Sequence, residues 1–226
     1  MMEAENKHDR SEGDINTTDV RGAYRQGLKA ETVRLLEKDD RFFLHQSLST
    51  PCLDVLSGVE NIYLKTADGR KVMDFHGNYA HNIGYAHPHL VQRVQEQLTT
   101  FPFCPRRFAN EPATELAAAL AAEAPGDLNR VLFTPGGSLA VGMALKLARL
   151  VTARHKVISL WDSFHGASID AISVGGERLF RDQLGPLLPG CEHAPPPVPA
   201  DCPFRCESRC QLRCADYIDY LMEQHG

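Results

Sequence analysis

Gly136-Gly137-Ser138 stands between a short apolar run, Val131-Leu132-Phe133, and a long apolar stretch from Leu139 to Arg154. A glycine turn placed between a strand end and a helix start points several free backbone N–H groups at one spot, together with the positive end of the helix dipole. A phosphate is the expected occupant. Glycine lets the backbone approach closely, and Ser138 can add a hydroxyl while capping the helix. The same three residues also suit a plain tight turn in which Ser138 is only a cap. They form neither a Walker loop nor a dinucleotide fingerprint, because no Gly-Lys-Ser/Thr follows and the G-x-G-x-x-G spacing is absent.

A second group able to do chemistry is Cys202, Cys206, Cys210 and Cys214, spaced every four residues, three of them directly after Arg205, Arg209 and Arg213. On a helix, neighbours four apart share a face, so adjacent thiols would reach one metal ion. Pro203 and Pro195-Pro196-Pro197 disfavour a helix at its start, and the spacing is not that of a zinc ribbon. The adjacent arginines would lower thiol pKa values. Reduced cysteines in an insertion, with no metal, are the expectation.

The elements that position these groups follow from periodicity. Val20, Tyr24, Leu28, Val33, Leu35 and Leu36 predict a helical stretch over 18–41. Asn61–Thr66 and Lys71–Phe75 flank Asp68-Gly69 and predict a β-hairpin. His76–His89 is too irregular for an element and reads as a long loop. Pro88 opens a helix to Leu98, and a second helix starts at Pro112 and stops at Pro125-Gly126. Val131–Phe133 and Val157–Leu160 read as buried strands around the glycine loop and the 139–154 helix. That is a βαβ unit of a parallel sheet, so the fold class is α/β with a small antiparallel part before it. The 139–154 helix is so apolar that burial on most sides, against a sheet and another subunit, is expected.

Four segments in order carry a resemblance. Asp68–Phe75, Asn82–Pro88, Thr134–Arg149 and Ser163-Phe164-His165-Gly166 together resemble the class III aminotransferases, over roughly two-thirds of the chain. The resemblance implies a fold type I architecture that binds pyridoxal 5′-phosphate. It implies that Gly137 and Ser138 hold the cofactor phosphate, that Phe164 stacks on the pyridine ring, and that His165 and Gly166 line the same pocket. Leu139 departs from the family, which usually has Glu there. Stretches such as Phe103–Phe108 and Trp161–Ser168 further resemble a branch acting as ammonia-lyases on aminoalkylphosphonates. Arg106 and Arg107 are then candidates for the phosphonate, since guanidinium matches such oxyanions bidentately.

The resemblance also implies parts not met in this sequence. The family's Schiff-base lysine and its acid against the pyridine nitrogen have no counterpart by context among Lys7, Lys29, Lys38, Lys65, Lys71, Lys146 and Lys156. The helix-like Tyr217–Met222 stretch just before Gly226 reads as truncation inside a domain. The expected organisation is therefore a lead-in over 1–18, part of a small domain over 19–75, and the incomplete first part of a large cofactor domain over 76–226. A complete protein is expected to be a homodimer acting on a small-molecule amine.

Bulk properties exclude other classes. Charged residues are 23% and apolar residues 43% of 226, the balance of a globular domain, and the net charge of −5 argues against nucleic acid or an anionic membrane as partner. The polar opening Met1–Lys7 lacks the apolar core of a secretory signal, and the cytoplasm is the expected address.

Overall fold

The computed structural model describes residues 18–45, 49–77, 80–198, 202–206 and 210–225. All but Thr18 of the expected lead-in lies outside them. The chain divides into two compact units, Met1–Glu115 and Leu116–Gly226.

In the first unit the expected single helical stretch is two helices, α1 (Asp19–Gln26) and α2 (Ala30–Phe42), parted at Gly27. The Thr18 hydroxyl caps α1 by accepting from the Arg21 N–H at 3.3 Å. Lys29 at the head of α2 provides no side-chain cap. The cap comes instead from the hairpin turn. Asp68 accepts from the Lys29 N–H at 3.2 Å and from the buried Thr32 hydroxyl at 2.6 Å. The Thr32 bond, foremost, holds the Asp68 carboxyl below its usual range.

The hairpin forms as read, with β2 (Tyr63–Thr66) and β3 (Lys71–Met73) antiparallel and Gly69 at φ 89° in the turn between them. A further strand, β1 (Leu56–Glu60), pairs with β2 to give the order β1-β2-β3. Asn61, at φ 54°, makes the tight connection, a conformation asparagine tolerates. Arg70 ties this sheet to α1, donating to Asp54 at 2.6 Å and to the Tyr24 hydroxyl at 2.7 Å.

The 76–89 loop is organised by Asp74, at the end of the hairpin. Its carboxylate accepts from the Tyr85 hydroxyl at 2.5 Å and from the His76 and Gly77 N–H groups at 2.8 and 2.9 Å. These bonds, Tyr85 foremost, lower its pKa from 3.8 to about 2. The folded value is depressed, so the stabilisation is complete above pH 3.8 and is lost as pH falls through about 2. An NMR titration of the Asp74 carboxyl is expected to show a midpoint near 2, with the His76 and Gly77 amide signals following it. A midpoint near 4 would mean that the three bonds do not form in solution.

Next come α3 (Pro88–Thr100), with proline in its first turn, and α4 (Glu111–Glu123). Asn110 caps α4 by accepting from the Ala113 N–H at 3.0 Å.

The second unit holds α5 (Gly137–Thr152), β4 (Val157–Leu160), α6 (Ile169–Val174), α7 (Arg178–Arg181), β5 (Cys191–Ala194) and α8 (Arg213–His225). β4 and β5 pair in parallel, Val157 opposite Cys191 through Leu160 opposite Ala194. Its buried residues include Ala171, Ile172, Val174, Ala194, Cys214 and Leu221. Arg181 closes the C-terminal end of α6, donating to the carbonyls of Ile172, Ser173 and Gly175. These are carbonyls that the helix itself cannot satisfy. Buried His193 stacks on Trp161 with ring centroids 4.4 Å apart. Its Nε2 lies 3.0 and 3.1 Å from the Gly175 and Val174 carbonyls, which places the proton on that nitrogen. Burial, foremost, lowers its pKa and favours the neutral ring.

The structure departs from the sequence reading at Val131–Phe133 and, within the single chain, at α5. Val131–Phe133 is not a strand, since no described strand runs beside it to supply a ladder. Within the single chain the α5 helix is not buried on most sides, as Leu147, Leu150 and Val151 are 61, 72 and 75% exposed, and no second subunit is present to cover them. Among the described residues the element packed on it is α6. The four cysteines do not share one helix, because α8 begins at Arg213 and carries only Cys214. No described helix is long and apolar enough to cross a membrane.

Candidate functional site

Gly136 is extended and turns the chain into α5, whose first helical residue is Gly137. No side chain caps this end, and no acidic residue lies in its first turn. The first intrahelical bond reaches back from the Ala140 N–H to the Gly136 carbonyl at 3.0 Å. The N–H groups of Gly137, Ser138 and Leu139 therefore have no partner within the helix. A Cβ built on Gly136 or Gly137 meets nothing within 4 Å, so the side-chain side of both residues is open.

The Ser163–Ala167 segment after β4 crosses this helix start. The Ser138 hydroxyl accepts from the Ala167 N–H at 3.1 Å and keeps its own hydrogen to donate. Gly166, at φ 129°, lies so close that a Cβ on it would sit 2.2 Å from Ser138 Oγ. Ser163 holds the segment down. Its hydroxyl donates to the Leu160 carbonyl at 2.6 Å and accepts from the Gly176 N–H at 3.1 Å.

Gly137, Ser138 and Gly166 are thus brought together as the sequence reading placed them. Phe164 follows in the same segment, 54% exposed, its ring 4.5 Å from that of Phe180. His165 is exposed beside it. Arg106 and Arg107 lie in the first unit, on the exposed turn closed by the bond from the Phe108 N–H to the Pro105 carbonyl. Of the second unit's lysines, Lys146 is exposed nine residues down α5 and Lys156 precedes β4.

Sequence reasoning missed three contributors. The Ala167 N–H braces Ser138, Phe180 backs Phe164, and Asp170 packs against α5 at Gly142, where a Cβ would lie 2.3 Å from Asp170 Oδ2. Only Gly142, an isolated glycine inside a helical pattern, carried any signal of such an approach. The Ser168 hydroxyl, foremost, and the Ala171 N–H lower the Asp170 carboxyl below its usual range.

The arrangement offers three backbone donors, one hydroxyl, a helix dipole and an exposed aromatic face. A dianionic phosphate carried on a flat ring fits that donor set.

The family model described as "Aminotransferase class-III" matches residues 47–225. The (R)-1-hydroxy-2-aminoethylphosphonate ammonia-lyase of Vibrio splendidus (strain 12B01) is 49% identical over 235 residues, covering 97% of this chain and 49% of that protein. A thermostable (S)-enantioselective omega-transaminase from Thermomicrobium roseum superposes with a TM-score of 0.75 at 27% identity, over 88% of this chain and 47% of that one. The taurine:2-oxoglutarate aminotransferase of Bifidobacterium kashiwanohense, solved with pyridoxal phosphate and glutamate, gives a TM-score of 0.71 at 28% identity, over 87% of this chain and 45% of that one. The chain therefore spans about half the length of the relatives it matches. The fold is that of the fold type I transaminases, as the resemblance implied. With the family's profile extending over most of its length, the chain belongs to the class III aminotransferases.

Proposed function

We propose that this chain forms the phosphate cradle and one ring face of a pyridoxal-phosphate site. The whole protein would be a homodimer acting on a terminal amine. The observation that carries this is the uncapped start of α5, with the side-chain side of Gly136 and Gly137 open and with Ser138 braced by Ala167. The N–H groups of Gly137, Ser138 and Leu139 bind phosphate oxygens, and the Ser138 hydroxyl donates to another. Phe164 offers its exposed face to the ring. Gly166 leaves room for the segment to lie against Ser138. When bound, the cofactor supplies an electron sink that stabilises negative charge on the substrate carbon beside nitrogen. Leu139 leaves the backbone donors unchanged, so the family's usual Glu is not required for this part.

Within that reading, the likeness to the Vibrio splendidus enzyme favours ammonia elimination from an aminoalkylphosphonate over transamination. At least one of Arg106 and Arg107 would then pair with the phosphonate oxygens. Neither Lys146 nor Lys156 lies in the glycine loop, so the lysine that would hold the cofactor covalently is assigned to the whole protein and not to this stretch. A chain that binds the cofactor without chemistry is the second reading, favoured by the same lysine placement.

Equilibrium dialysis of this chain against pyridoxal phosphate and against pyridoxal tests the cradle. Retention is expected to depend on the phosphate, and Gly137→Asp, which puts a like charge into the open space, is expected to weaken it about tenfold, or 1.4 kcal/mol. Equal retention of pyridoxal and its phosphate, or indifference to Gly137→Asp, would sink the proposal. Ammonia released from (R)-1-hydroxy-2-aminoethylphosphonate by the whole protein supports the lyase reading. Amino-group transfer to a keto acid supports the transaminase, and neither activity leaves cofactor binding alone.

A further inference from the structure

Cys202 and Cys206 lie outside the phosphate loop and have no part in the reading above. The chain turns sharply between them, closed by the Arg205 N–H donating to the Cys202 carbonyl at 2.9 Å. Arg205 itself takes the left-handed conformation, φ 48°. The turn brings the two sulfurs to 3.8 Å, with the Cys202 thiol directed at Cys206 Sγ. Both residues are partly exposed, so a small oxidant in solvent has access to them. Around the start of α8 the backbone N–H groups of Gln211 and Arg213 also bond to Cys206. Three donors thus converge on one sulfur, an arrangement that favours the thiolate.

We propose that Cys206 is a peroxide-reactive nucleophile and Cys202 its resolving thiol, together a site of reversible thiol oxidation. In the first step the Cys206 thiolate attacks a hydroperoxide. A sulfur–oxygen bond forms, the O–O bond breaks, and hydroxide or alkoxide leaves. The sulfur is oxidised to a sulfenic acid and the peroxide is reduced. In the second step the Cys202 sulfur attacks that of Cys206. The S–S bond forms, the S–O bond breaks, and the oxygen departs as water with the Cys202 proton. A dithiol reductant returns both thiols by exchange.

Convergent backbone donors support the direction of reactivity. The Gln211 N–H first, then the Arg213 N–H and the Cys202 thiol, pull the Cys206 pKa below that of an ordinary thiol. The neighbouring arginines, which sequence reasoning credited, are not among these causes.

The sequence lets the linkage be read. Trypsin cleaves after Arg205, Arg209 and Arg213, so Cys202, Cys206, Cys210 and Cys214 fall on four separate peptides; the Cys202 peptide, which begins at Asp182, also carries Cys191, so fragmentation of the linked pair assigns the bond to Cys202. The reduced chain is treated with one equivalent of hydrogen peroxide, blocked with iodoacetamide and digested. The expected product is the Cys202 peptide joined to the Cys206 peptide, with the intact chain lighter by about 2 Da for the two hydrogens lost. Cys202→Ser is expected to leave a Cys206 sulfenic acid that dimedone captures, and Cys206→Ser to abolish both products. Without peroxide, iodoacetamide at neutral pH is expected to label Cys206 about tenfold faster than Cys104. Linkage spread evenly over the four peptides, a dominant Cys206–Cys210 pair, or equal labelling of Cys206 and Cys104 would overturn the proposal. So would zinc that stays on the reduced chain and blocks labelling of Cys202 and Cys206.

Discussion

Replacing Gly176 with alanine is expected to cost about 3 kcal/mol or more of stability, the largest loss expected of a glycine-to-alanine change among the described residues. The new Cβ would lie 2.2 Å from the Leu160 carbonyl oxygen, 2.5 Å from Trp161 Cα and 2.9 Å from the Leu160 carbonyl carbon. All three are backbone atoms. Leu160 is the last residue of β4, locked in register opposite Ala194, and the Trp161 N–H continues the ladder to the Ala194 carbonyl at 2.9 Å. Gly176 cannot retreat either, because its N–H is held by Ser163. Gly142→Ala is the matched control. Its Cβ would meet only the end of the Asp170 side chain, which can swing away, and alanine is the better helix former. Its net effect is expected to stay under about 1 kcal/mol. Urea denaturation followed by circular dichroism measures both, and a Gly176 variant as stable as the Gly142 variant would show that β4 yields.

Gly166→Ala is expected to be the second most damaging change, and it strikes the cradle. At φ 129° the position is strained for any residue with a Cβ, and that atom would sit 2.2, 2.8 and 2.9 Å from Ser138 Oγ, Cβ and Cα. The strain alone is of the order of 1–3 kcal/mol. Relief requires the Ser163–Ala167 segment to lift off α5, which breaks the bond from the Ala167 N–H to the Ser138 hydroxyl. Two readouts should move together: a loss of about 2 kcal/mol in stability and a loss of about tenfold or more in pyridoxal phosphate retention. Retention unchanged in a destabilised variant would mean that the phosphate is held without Gly166 beside Ser138.

The parts legible in the sequence are those whose signals are local. Asp68-Gly69 between two strand-like runs specified the hairpin turn, and Pro88 marked a helix start because it lacks only an N–H that no helix would use there. Gly137 and Ser138 were legible for the same reason, as a loop and helix start adjacent in sequence. The illegible parts depend on partners far along the chain. Cys191-Glu192-His193-Ala194 has no strand pattern and becomes β5 only by lying beside β4, thirty-four residues earlier from Val157 to Cys191. Val131-Leu132-Phe133 has the pattern and lacks the partner among the described residues. The break at Gly27 was hidden because the carboxylate that caps α2 belongs to Asp68, across the hairpin. In the site, the exposed glycine loop could be read, whereas the brace from Ala167 and the ring of Phe180 behind Phe164 are tertiary contacts with no sequence spacing to announce them.

The indole stacked on His193 has a practical consequence. Trp161 is the only tryptophan in the chain, and it lies wholly within the Leu116–Gly226 unit. Its intrinsic fluorescence is therefore an optical reporter for that unit alone, whereas the helical signal sums both units. If the two units melt independently, emission and helicity will trace different curves, and the gap between them measures how far the first unit outlasts or precedes the second.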